Sequence, residues 1–90
     1  MKEEREGFPK RNMPSIKADI CASFGVSEEE LSGKSRRKSI VMARKMFAAL
    51  AYTEAGASLH EIGQVLGDRD HTTIKYYIDS VKAITLRNSA

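Results

Sequence analysis

Apolar positions along this chain recur at three- and four-residue intervals, and nowhere do they alternate long enough to build a sheet. Ile16, Ile20, Cys21 and Phe24 share one helical face, with Ser15 as the expected cap and Gly25 as the stop. Ser27 and Glu30 have the spacing of a capping box that opens a short turn of helix and brings Leu31 inward. Ile40, Ala43, Phe47 and Leu50 then mark a long helix ended by Gly56. A second capping box, Ser58 with Glu61, precedes the stripe Leu59, Ile62, Gly63 and Leu66. Gly67 follows, where a helix end favours a left-handed residue. Asp70 can cap the last helix, whose inward face is expected to be Ile74, Tyr77, Ile78, Val81 and Ile84. The pattern predicts an all-α bundle of about five helices, with a helix-turn-helix in its C-terminal half.

The last two predicted helices suggest the chemistry. His71, Thr72, Lys75 and Asp79 face outward at the start of the final helix. A major groove displays distinct donor, acceptor and methyl patterns, and these side chains can answer them. His71 could donate to a purine N7 or O6, Thr72 offers a methyl and a hydroxyl, and Asp70 could accept from an exocyclic amine. Alternatively, Asp70, Thr72 and Thr73 only cap the helix and His71 is a solvated surface group. Spacing does not separate the two.

Charge adds a second signal. Residues 1–30, 31–53 and 54–90 carry −2, +6 and −1, so the net +3 of this 90-residue chain comes from one segment. Lys34, Arg36, Arg37, Lys38, Arg44 and Lys45 make that block, and Gly33, Ser35 and Ser39 give its first part the character of a loop. Such a loop beside a groove-reading helix can neutralise phosphates and release counterions, which supplies affinity without sequence information. Alone, a basic run is also compatible with a solvated face or an address tag.

The segment from about Ile16 to Ile84 resembles the C-terminal DNA-binding domain, domain IV, of the bacterial replication initiator family DnaA. The resemblance rests on Gly67-Asp-Arg-Asp-His-Thr-Thr73, on Ser58-Leu59-x-Glu61-Ile62-Gly63, and on the basic loop followed by a helix containing Met46, Ala49, Leu50 and Ala51. It implies a Trp-repressor-like helix-turn-helix domain over residues 13–86, between a flexible leader at 1–12 and a short tail at 87–90. It further implies that Arg36 reaches a minor groove while Asp70, His71 and Thr72 read bases in the major groove. Arg44, Lys45, Leu59 and Thr73 would lie on the phosphate backbone, with Arg69 beside the reading residues. Arg37, Lys38, Arg69 and Lys75 are further expected backbone contacts.

Several positions depart from the family pattern. Tyr52 and Ser80 stand where lysines are usual, His60 where proline is usual and Asp68 where a second glycine is usual, while position 45 is commonly glutamine. Two lost cations and an added carboxylate predict a weaker phosphate term. The chain has no Gly-x-x-x-x-Gly-Lys-Ser/Thr phosphate loop, so ATP hydrolysis in the initiator's manner is not expected of it. Met1 and the polar run Lys2 to Asn12 suggest a small independent protein rather than a piece of a longer one.

Other chemistry is sparse. Cys21 is a lone cysteine on an apolar face, and His60 and His71 lack metal-ligand spacing with it or with each other. Glu28, Glu29 and Glu30 sit at a helix start, where they favour the macrodipole. Neither a cofactor, a metal nor a catalytic activity is expected. Without a signal peptide or an 18-residue apolar run, cytoplasmic residence follows by default. The expected partner is double-stranded DNA at initiator-box-like sites, in control of replication initiation or transcription, with no membrane. The alternative is an interaction module whose partner is a replication-regulatory protein. No heptad repeat remains after the internal stripes, so a monomer is expected.

Overall fold

The structure, a computed structural model, describes residues 11–89, and of residues 85–89 the helical backbone alone. Most of the leader expected at 1–12, including Phe8, lies outside the described residues. Five helices follow one another: α1 (Met13–Phe24), α2 (Glu28–Ser32), α3 (Lys38–Glu54), α4 (Leu59–Val65) and α5 (His71–Ser89). No strand occurs among the described residues, as the apolar periodicity predicts.

The ends of these helices show why the chain breaks where it does. In both capping boxes each bond is made: the Glu30 and Glu61 amides donate to the Ser27 and Ser58 hydroxyls at 3.0 and 3.1 Å. The Ser27 and Ser58 amides in turn donate to the two glutamates, at 2.9 and 2.8 Å. The start of α1 differs from the expectation. Asn12, not Ser15, is its cap, and the Ser15 amide donates to Asn12 Oδ1 at 2.9 Å. Pro14 fits the first turn because its missing N–H would have no intrahelical acceptor there. At the other end, α5 continues past the boundary expected at 86 and runs to Ser89.

α3 is the central element, packed against α1 on one side and α5 on another, while α4 leans on α5. Ala43, Ala48 and Ala51 are fully buried on α3, and their small side chains let the neighbouring helices approach. Phe47 fills the centre among Ile16, Leu31, Ile40, Ile62, Leu66 and Ile74, all 1% exposed or less. Burying such side chains contributes roughly 1.5–3 kcal/mol each, an upper bound for a chain whose unfolded state is partly compact. The predicted inward face of α5 holds at Ile74, Tyr77 and Ile78 but not at its end. Ile84 is exposed.

The turn between α4 and α5 depends on two glycines. A Cβ on Gly63 would come within 2.2 Å of the Arg69 carbonyl oxygen, and the Arg69 amide donates to the Gly63 carbonyl at 2.9 Å. A Cβ on Gly67, which has φ +84, would meet the Ser32 carbonyl oxygen at 2.2 Å. The helix-turn-helix is thus seated on the end of α2, at the root of the basic loop.

Candidate nucleic-acid interface

Three segments converge on one side of the molecule: the loop Gly33–Arg37, the first turns of α3, and the start of α5. Arg69 joins the loop to the turn before α5: its Nη2 donates to the Gly33 carbonyl at 2.6 Å and its Nη1 donates to the Leu66 carbonyl. In the loop, Lys34, Arg36 and Arg37 are exposed, and Lys38 is exposed at the start of α3. Arg37 lies 3.6 Å from the Glu30 carboxylate. The start of α3 has no side-chain cap. Unsatisfied amides at the positive end of the helix dipole, together with four cations, make this corner attractive to an oxyanion.

The start of α5 carries the other expected residues. Asp70 precedes the helix, and its Oδ2 accepts the Thr72 amide at 3.2 Å. Hydrogen bonds from the Thr72 hydroxyl and amide hold the Asp70 carboxyl below the usual carboxylate range, with proximity to His71 a smaller cause. Asp70 therefore acts as a cap, and its Oδ1 stays in solvent, 3.5 Å from His71 Nδ1. His71 and Thr72 are exposed, and Thr73 is half-buried. Lys75 is exposed and ion-paired with Asp79 at 3.1 Å. A polar recess lined by His60, Gln64, Asp68, Arg69, Asp70 and His71 opens beside them.

Two residues behave differently from the sequence reading. Arg44, expected on the phosphate backbone, is 2% exposed and its guanidinium is turned onto backbone carbonyls. Its Nε donates to the Leu31 carbonyl at 2.7 Å, Nη1 to Ser35 at 2.6 Å, and Nη2 to Glu30 and Gly33 at 2.9 Å each. Burial and the neighbouring Arg69 charge both press its pKa below the ordinary guanidinium value, while Tyr77 opposes them. Arg44 is thus an internal organiser of the basic loop. Arg69 is likewise half-buried and engaged by backbone carbonyls. Leu59, the first residue of α4, packs its side chain against the core, which leaves its first-turn amide as the group able to meet a phosphate.

One contact at this surface was not visible in the pattern. The Lys45 ammonium stands 5.3 Å from the centroid of the Tyr76 ring, which is 61% exposed. This cation–π contact joins α3 to the outer face of α5. No periodicity argument finds it, since the two residues are on different helices.

Comparison with known proteins decides the family. Residues 13–81 match the family model described as the bacterial dnaA protein helix-turn-helix. The chain belongs to the bacterial DnaA helix-turn-helix family. It is similar to the chromosomal replication initiator protein DnaA of Thermomicrobium roseum, 48% identical over 63 residues, which are 70% of this chain and 14% of that protein. The DnaA of Thermus thermophilus is 44% identical over 65 residues, 72% of this chain and 15% of that protein. That of Gloeobacter violaceus is 38% identical over 69 residues, 77% and 16% respectively. The chain thus spans only 14–16% of the length of these curated DnaA relatives. No solved structure matches. Among the described residues, no helix is long and apolar enough to cross a membrane.

Proposed function

We propose that this chain binds double-stranded DNA by placing the start of α5 in the major groove, with Arg36 and the basic loop on the adjacent backbone and minor groove. Asp70, His71 and Thr72 would read bases. Arg37, Lys38, Lys45, Thr73 and Lys75, with the Leu59 amide, would hold phosphates. The observation that carries this reading is the bond between Arg69 and the Gly33 carbonyl, which sets a sequence-neutral cationic loop beside exposed hydrogen-bonding side chains at a helix start. The relatives are named chromosomal replication initiators, which supports sites of the initiator-box type and a role in control of replication initiation or transcription. The chain acts by binding and carries out no catalysis.

A titration over a range of salt, against an initiator-box duplex and a scrambled duplex of equal length, tests this. The expected result is a preference for the box and a log–log salt slope of several units for both. Equal, weak binding to both duplexes would reject base reading.

One observation favours a second reading. An apolar groove between α3 and α5, lined by Met46, Leu50, Ile78 and Val81 with Tyr52 and Lys82 at its edge, remains open. A replication-regulatory protein could be held there without tight DNA binding. If so, replacing Met46 by a charged residue abolishes regulation in the cell and leaves the DNA titration unchanged.

A further inference from the structure

We infer that Arg69 is a positioning residue for DNA reading, locking the basic loop to the helix-turn-helix so that Arg36 and His71 keep a fixed span. This rests on the DNA-reading function proposed above. The Gly33 carbonyl is the junction. It accepts Arg69 Nη2 at 2.6 Å and Arg44 Nη2 at 2.9 Å, so both of its lone pairs are taken by guanidinium groups. Arg69 comes from the turn and Arg44 from α3, and each reaches the same loop atom from a different element. Arg36 lies three residues after Gly33, and His71 lies two residues after Arg69. Fully extended, those links span at most about 11 and 7 Å, so the Arg69–Gly33 bond lies close to both reading groups in the chain.

The loop has little else to hold it on this side. Its Arg37 amide donates to Ser35 Oγ at 3.2 Å, and the carbonyls of Glu30, Leu31, Gly33 and Ser35 are all claimed by Arg44. Arg44 therefore shapes the loop internally, while Arg69 attaches it to the turn. The close seating of Gly67 on the Ser32 carbonyl agrees with a joint built for fixed geometry. Neighbouring cations with such hydrogen bonds would add little as phosphate ligands, because the donors are already in use.

The test is Arg69→Lys in the full chain. Lysine keeps the charge, but a single ammonium on a flexible stem cannot span Leu66 and Gly33 as a planar fork does. Arg69 sits half-exposed in a turn and the Arg44 bonds remain, so the variant should fold, which its helical circular dichroism checks. We expect its preference for the box over the scrambled duplex to fall about ten-fold, the worth of one base contact, with the salt slope unchanged to within about half a unit. In the free protein, backbone order parameters at Ser35 to Arg37 should drop toward about 0.6. A lysine variant with the parent's preference and loop order would overturn the inference. So would an Arg69→Ala loss that is equal on both duplexes and restored by lysine, which describes a phosphate ligand. If the parent chain shows no box preference, the proposed function fails, and the loop order parameters alone decide whether Arg69 is the lock.

Discussion

Arg44 Nε donates to the Leu31 carbonyl at 2.7 Å from a side chain that is 2% exposed. A guanidinium in that position is a structural group, so its removal should be felt in folding before it is felt in DNA binding. Arg44→Met fills much of the volume but takes the guanidinium donor from the carbonyls of Leu31 and Ser35, and one of two donors from those of Glu30 and Gly33. We expect a loss of about 3 kcal/mol in urea unfolding with an unchanged m-value. A stability within about 0.5 kcal/mol of the parent would show that solvent replaces those bonds at no cost.

The reading face and the phosphate face separate by mutation. His71→Ala should reduce discrimination against scrambled DNA by about 1–3 kcal/mol and leave the salt slope alone. Lys38→Ala, on the exposed start of α3, should weaken both duplexes equally and reduce the slope by about 0.9. Identical behaviour of the two variants would leave no base-reading role for His71.

The contrast between Arg44 and His71 shows what was legible in the sequence. The five helices, both capping boxes and the turn were readable because each is a local pattern: apolar spacing, a serine with a glutamate three residues on, a glycine after a stripe. The site was readable only as a set of residue types near one another. Whether an arginine faces solvent or the interior depends on carbonyls 9 to 14 residues away, and charge counting treats Arg44 and Arg36 alike. The cap at Asn12 was missed for a nearer reason. Asn12 and Ser15 are both cap-type residues three apart, and Pro14 at the start of the helix is the local signal that favours Asn12. The Lys45–Tyr76 contact joins different helices and has no one-dimensional trace.

Asp68 has φ +61, the left-handed region, beside Gly67. Aspartate tolerates this conformation better than alanine does, and glycine adopts it freely. Asp68→Ala should therefore cost about 1 kcal/mol in thermal or urea unfolding, while Asp68→Gly stays within about 0.5 kcal/mol of the parent. Both remove a carboxylate from the recess that also holds Asp70 and His71, so both should bind DNA more tightly at low salt. If only the glycine variant gains affinity, backbone freedom rather than charge is the cause.

Asp70 ties acid sensitivity to the start of the reading helix. Its folded carboxyl lies below the ordinary range because Thr72 donates to the charged form. A depressed folded value means that the cap's electrostatic contribution is complete above the unfolded pKa of about 3.9 and is lost as pH falls through the folded value. Stability from this group should thus be level near neutral pH and decline only below about pH 4. The Thr72 amide resonance should titrate with a midpoint below 3.9, and Asp70→Asn should keep the cap and abolish that transition. A midpoint at or above the unfolded value would contradict the hydrogen-bonded cap.

The two positions where the DnaA family usually has lysine decide how far the DNA surface extends. Tyr52 is 49% exposed at the edge of the groove between α3 and α5, and Ser80 is half-buried on α5. If DNA runs past them, Tyr52→Lys should steepen the salt slope by about 0.9 and tighten both duplexes equally, and Ser80→Lys should do the same. The double variant should then add the two effects, since phosphate contacts at separate sites are independent to within about 0.5 kcal/mol. A slope that stays at the parent value would mean that the duplex stops short of the groove. Tyr52, Met46 and Leu50 would then form a surface clear of the DNA, and the protein-binding reading would gain from the same measurement.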